Sequence, residues 1–233
     1  MPDDVRMIRE MPMRPTSLRP LRARPLHALL LLLVPLLVGG CSYLLGVRTE
    51  PPKLFVLSTT PADGTHTLPP SFALGFGPVD LPGYLDRRGI VRRIDPNRLE
   101  ESRTDLWAEP LGAGFKSVVE QNLRLRLPGT PIRTFPWPMA SQPDLAVAIE
   151  VSRFEPGAGN AVELNARWSV RSPRDGAVVA ERDAAFTETV NGPGTEDVVA
   201  AMSRATGALA DQIAAALAQQ ATVRPAARRS ATR

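Results

Sequence analysis

The stretch VELNARWSVR (162–171) decides the fold. In it Val162, Leu164, Ala166, Trp168 and Val170 alternate with Glu163, Asn165, Arg167, Ser169 and Arg171. A period of two places the first set on one face of a strand and the second set on the other. Just upstream, residues 145–154 put Leu145, Val147, Ile149 and Val151 on one face, and just downstream residues 177–190 form a third strand-like segment. EPGAGN (155–160) and SPRDG (172–176) separate the three, and both are rich in turn formers. The region therefore reads as an antiparallel meander with one buried face.

Helical patterns flank this meander. Thr195 reads as an N-cap, followed by Glu196 and Asp197 where the helix dipole favours acids. Val198, Met202, Ala205, Leu209, Ile213 and Ala216 then form the inner stripe of a helix expected to end near Gln219. Upstream, Pro110 suits a first helical turn. Leu111, Phe115, Val118, Val119 and Leu123 recur at three-and-four spacing, so a helix is expected to run to about Leu127, before Pro128-Gly129. Short strands are expected at 53–58, 72–79, around 90–93 and at 132–135, with the first helix following the third of these. The fold class is α+β: one domain, a mostly antiparallel sheet with two main helices on one face.

The chain has 233 residues and a sequence pI near 9.9, which invites a nucleic-acid reading. The distribution of charge argues against it. Residues 1–40 carry net +3 and the Arg-rich end from 224 to 233 carries +4, so of the total of +4 the body between them holds −3. No nucleic-acid partner is expected.

Residues 28–38 are 11 consecutive apolar or proline positions, short of the roughly 20 that cross a bilayer as a helix. Six arginines precede them and Gly39-Gly40 follows, the layout of an export signal. Met7, Met11 and Met13 are alternative starts within it. The only cysteine of the chain, Cys41, comes next, and Val38-Gly39-Gly40-Cys41 resembles the lipobox of bacterial lipoproteins. That resemblance implies cleavage between Gly40 and Cys41 and acylation of Cys41. Several acyl chains, at about 0.8 kcal/mol per buried CH₂, hold a protein on a bilayer far better than one does. The expected organisation is a signal at 1–40, a tether at 41–52, one domain at 53–220 and a disordered basic tail at 221–233.

Catalytic chemistry is sparse. Of two histidines, His27 lies in the signal and His66 in a loop, so no Ser-His pair on rigid elements can be assembled. Neither a G-x-S-x-G turn nor a Cys/His set with metal spacing occurs. Asp80 with Asp86, and Asp105 with Glu109, are the carboxylate pairs that remain, and beside Pro and Gly they read as solvated turn residues. No cofactor is expected. The feature that stands out is a proline-bracketed apolar hook, Val79, Leu81, Pro82, Tyr84 and Leu85, which cannot pair as a central strand. Trp107 and Trp137, each near a proline, read either as interface anchors or as caps on the core.

FGPVDLPGYLDRRGIVRR (76–93), NRLEESRTDLWAEPL (97–111), TFPWP (134–138) and the VSRF and VELNARWSV segments resemble, in order, the auxiliary lipoproteins of MCE-type ABC transport systems, the PqiC-like family. The similarity spans about 55–217, with one departure at Leu106, where the family usually has arginine. The resemblance implies a non-enzymatic, lipid-anchored periplasmic domain. It would work with an MCE-domain protein, an inner-membrane permease and an ATPase to move lipid between the membranes, and so serve envelope integrity. Ser42 after the cysteine implies sorting to the periplasmic face of the outer membrane. Leu81, Pro82, Tyr84, Leu85 and Trp107 are then the expected partner-binding residues, the hook standing apart from the core and docking on the MCE protein or on a neighbouring copy in a ring. Competing readings are a lipid-anchored envelope hydrolase and a purely structural envelope lipoprotein.

Overall fold

The computed structural model describes residues 51–230. The signal, Gly40 and Cys41 lie outside the described residues. Eight strands form two sheets. β1 (Lys53–Phe55), β3 (Gly89–Asp95) and β4 (Arg98–Trp107) make a small sheet in the order β1-β4-β3. β2 (Leu74–Asp80), β5 (Ile132–Thr134), β6 (Leu145–Pro156), β7 (Ala161–Arg171) and β8 (Val178–Thr189) make a larger one in the order β5-β2-β6-β7-β8. Helix α1 (Leu111–Arg126) packs on β2, and α2 (Thr195–Ser230) lies across β6, β7 and β8 beside α1. The α+β class is as the sequence predicts. The long ladders β6–β7 and β7–β8 are antiparallel, while β2 runs parallel to both β5 and β6, and β1 parallel to β4.

The alternation in β7 has the expected phase: Val162, Leu164, Trp168 and Val170 are fully buried, Ala166 nearly so, and Arg167 is exposed. The buried Trp168 ring would leave its indole N–H unsatisfied, and Nε1 donates to Gln212 Oε1 of α2 at 2.9 Å. In β6 the phase shifts at a bulge between Val151 and Arg153, which turns Phe154 into the core beside Phe115.

Both helices present the expected stripes. Leu111, Phe115, Val118, Val119 and Leu123 of α1 are buried, as are Val198, Met202, Ala205, Leu209, Ile213 and Ala216 of α2. Helix α2 is covered on more than one side, since Ala201, Thr206, Ala210 and Ala214 are buried too. Three expectations are corrected. Thr195 is the first helical residue and not the cap: its hydroxyl donates to Asp105 Oδ2, while Asp197 accepts from the Gly194 N–H and so caps from the third helical position. The helix continues past Gln219 to Ser230. A whole strand, β4, stands between the expected third strand and α1, paired to β3 through the two-residue turn Pro96-Asn97, where Asp95 Oδ1 accepts from the Asn97 N–H.

The seam between the helices is closed by Arg126. Its guanidinium, 1 % exposed, donates through Nε and Nη2 to both oxygens of Asp211 at 2.6 and 2.7 Å. It also reaches Asn122 Oδ1, Thr60 Oγ1 and the Pro61 carbonyl. The loop after β1 is thereby drawn over both helices, and at Gly207 an added Cβ would lie 2.0 Å from Thr60 Oγ1. Only glycine admits this approach. Among the described residues, Asn122 Nδ2 is the buried side-chain polar atom left without a partner.

Truncation of a buried tryptophan costs about 3–5 kcal/mol, a large share of ordinary domain stability. Trp168→Ala should therefore lose cooperative melting by circular dichroism while Arg167→Ala keeps it. Equal curves for the two variants would mean that the register of β7 is inverted.

Candidate functional site

The hook is a single 3-10 turn, Gly83–Leu85, between β2 and β3. Pro82 enters it at φ −59°, and its carbonyl accepts from the Leu85 N–H at 2.9 Å. The Gly83 carbonyl accepts from the Asp86 N–H. One residue of the hook points inward: Leu85 is 2 % exposed and belongs to the core. Leu81 and Tyr84 pack against that core while remaining partly exposed, Pro82 is half-buried, and Gly83 is exposed. Trp107, at the end of β4, is 6 % exposed and also in the core, its backbone N–H donating to the Arg88 carbonyl. The expectation that the hook stands apart from the core is thus corrected. Leu85 finds its cover on its own domain, where burying such a side chain is worth roughly 1.5–3 kcal/mol, while Leu81, Pro82 and Tyr84 keep an exposed edge.

What fixes the hook is a residue that the sequence reading did not single out. Glu155, at the end of β6, has no exposed surface. Its Oε1 accepts from Arg93 Nε at 2.7 Å and Arg153 Nε at 3.1 Å, and its Oε2 from the Tyr84 hydroxyl at 2.9 Å and the Phe154 N–H at 3.0 Å. Arg93 lies 5.8 Å from the centroid of the Tyr84 ring, close enough for a cation–π contact. Burial, and then the Glu155 bond, push the Tyr84 phenol up to about 12, and the same carboxylate raises Arg93. Each carboxylate oxygen has two donors, so Glu155 is occupied as an acceptor and acts as a clamp between the hook, β3 and β6.

Of the other carboxylates weighed for chemistry, Asp80 ends β2 and Asp86 follows the hook's turn, its N–H bonded to the Gly83 carbonyl. Asp105 accepts from Thr195 at the start of α2, and Glu109 packs beside Gly114 of α1. No group of three or more His, Cys, Asp or Glu among the described residues is placed to hold a metal ion. Trp137 lies over Gly75 of β2, where an added Cβ would meet its ring at 2.9 Å, and it forms an edge contact with Phe135 at 5.2 Å. A shallow recess of about 500 Å³ on the helix-free face of the large sheet is lined by Glu150, Ser152, Asn165, Arg167, Asp183 and neighbouring alanines. The Arg167–Asp183 ion pair spans it.

The model of the family described as "ABC-type transport auxiliary lipoprotein component" matches residues 55–214, from the end of β1 into α2. The chain belongs to this family. Among solved structures, one described as an uncharacterized protein is 18% identical at a TM-score of 0.60, covering 72% of this chain and 99% of that one. A Xanthomonas campestris protein of DUF330 is 17% identical at a TM-score of 0.58, covering 74% and 99%. At these identities the likeness shows a shared fold. No curated protein matches the chain. Membership of an auxiliary lipoprotein family, not known as an enzyme family, agrees with a clamp built for position, and it supports a transport accessory role in the cell envelope.

The raised phenol has a measurable consequence. With a folded pKa near 12 against an unfolded value of about 10, the stability that Tyr84 contributes is fully present below pH 10 and is lost as pH rises from 10 to 12. In a Tyr43→Phe background, leaving Tyr84 as the only tyrosine, phenolate absorbance should begin to rise only above pH 10, and Glu155→Gln should move the titration down towards 10. A midpoint near 10 in the folded parent would show the hook to be free of Glu155. Leu85→Ala, which empties a core position, should cost about 2–5 kcal/mol in denaturant unfolding. A variant that unfolds like the parent would return the hook to the surface.

Proposed function

We propose that this protein is a lipid-anchored periplasmic accessory of an MCE-type ABC transport system. Acylated Cys41 holds it at the outer membrane, and the folded domain docks with the MCE-domain protein through which lipid passes between the membranes. The permease and ATPase are separate chains. The observation that carries this reading is the match of the auxiliary lipoprotein family over 55–214, nearly the whole body of the fold. The lipobox-like Val38-Gly39-Gly40-Cys41 directly upstream supports it.

Within this role the hook is the docking element, with its work divided. Leu85 and Trp107 hold it from behind, inside the core. Tyr84 is fastened to Glu155, and the outer edge made by Leu81, Pro82 and Gly83 faces the partner. A turn immobilised this way loses little conformational entropy on docking.

Two measurements test the proposal. Fatty-acid labelling should mark the wild type, while Cys41→Ser should be unlabelled and released from membranes; a labelled serine variant would end the anchor. At the hook, Gly83 has open space where a side chain would go, so Gly83→Glu should melt like the parent yet fail to co-purify with the MCE protein. Undiminished co-purification would remove the hook from the docking surface.

A further inference from the structure

The run Leu54-Phe55-Val56-Leu57 is four apolar residues without a break. Such a run is the pattern of a strand covered on both faces, whereas a strand with one wet face alternates. This domain covers one face. Phe55 packs against the core and Leu57 is 7 % exposed, while Leu54 and Val56, pointing the other way, are 60 % and 55 % exposed. Leu106 stands directly opposite Leu54 in the parallel β1–β4 register and so shares its outward side. Lys53 alternates with Leu54 and so belongs to the Phe55 side of the strand, leaving the outward side without a charge of its own from β1. The outward side of β1 is an apolar strip.

The position of the strip in the chain indicates what covers it. β1 is the first strand after Cys41, and Leu54 follows that cysteine by thirteen positions. Such a segment reaches at most about 45 Å. Tyr43, Leu44, Leu45 and Val47 lie within it. A surface attached so closely sees the bilayer at high effective concentration, so a strip too small to bind a membrane by itself suffices once tethered.

We propose that the outward side of β1, Leu54 and Val56 with Leu106 beside them, is a membrane-contact surface that seats the domain against the bilayer holding its anchor. Leu54 and Val56 enter the headgroup boundary, and the rest of the small sheet is held at a set orientation to the membrane. The proposal rests on acylation of Cys41, and the test separates the two.

The experiment uses the mature lipidated chain. Acylated Cys41 offers no free thiol, so an introduced cysteine is the single labelling site. Leu54→Cys and, as reference, Val178→Cys on the exposed end of β8 are each labelled with a polarity-sensitive fluorophore. Both are inserted into vesicles of phosphatidylethanolamine and phosphatidylglycerol with brominated acyl chains. The expected result is a blue shift and loss of emission at position 54, with solvent-like emission at 178. Solvent-like emission at 54 on protein that floats with the vesicles would overturn the contact surface and leave the anchor standing. Equal quenching at both positions would overturn the proposed orientation. Shielding at 54 before vesicles are added, together with a multimeric sedimentation profile, would assign the strip to a second copy. Failure to float, with no acyl mass on Cys41, would overturn the anchor and this proposal together.

Discussion

A carboxylate with no access to water must be fully hydrogen-bonded, and Glu155 meets that demand by drawing on three separate parts of the chain. Stripping an ionised carboxylate of water costs several kcal/mol, and four donors, two of them arginines, offset it. Those donors come from the hook, from β3 and from β6 itself. The small sheet and the large sheet share no ladder, so their mutual placement depends on packing and on this clamp. Removing Arg93 alone would leave a buried charge short of a partner, the costlier direction of such a change.

Arg126 performs the matching task on the helical side. It is fully buried at the last turn of α1, and its planar fork engages both oxygens of Asp211 on α2. The same head donates to the Thr60 hydroxyl and the Pro61 carbonyl, tying the exit of β1 to the helix pair. Both clamps put a guanidinium where a shorter or more rounded cation could not satisfy several acceptors at once. Together they brace the small sheet, whose own apolar content is modest: β4 buries only Trp107 fully and exposes much of its length.

The parts legible in the sequence were those governed by a period. The strands β6 and β7, both helical stripes and the burial of Trp168 follow from spacing, because each repeats one chemical choice many times, while β8 is marked by the turn that precedes it. What escaped was governed by single residues. β4, RLEESRTDLW, is a mostly exposed polar strand with no apolar alternation to betray it, and the Asp-Pro-Asn turn before it was the available signal. Arg126 and Asn122 sit on the buried face of α1 among apolar neighbours, and a polar residue at a core position signals a clamp only once its partner is known. Glu155 looked like the first residue of a turn. The bulge after Val151 gives the helix-packed face to Phe154 and leaves Glu155 on the opposite face, where Tyr84 of the hook and Arg93 of β3 close over it. The hook departs from its sequence pattern for a related reason: proline and glycine exclude strand pairing, but a 3-10 turn still directs one side chain, Leu85, into the core.

These constraints meet in the small sheet. β1 enters it from the tether and displays Leu54 and Val56 outward, while β3 enters it from the hook, and β4 lies between and joins them. The surface proposed for the membrane and the turn proposed for the partner are therefore carried at the two edges of one three-stranded unit. Glu155 locks that unit to the large sheet through Arg93 and Tyr84, and Arg126 locks it to the helices through the Thr60 loop. A domain that moved freely on its tether would present its docking turn at every angle and pay an orientational cost at each encounter. Seating β1 on the bilayer as proposed would remove much of that freedom, and the two buried arginine–carboxylate clamps would carry the resulting orientation through the small sheet to the hook.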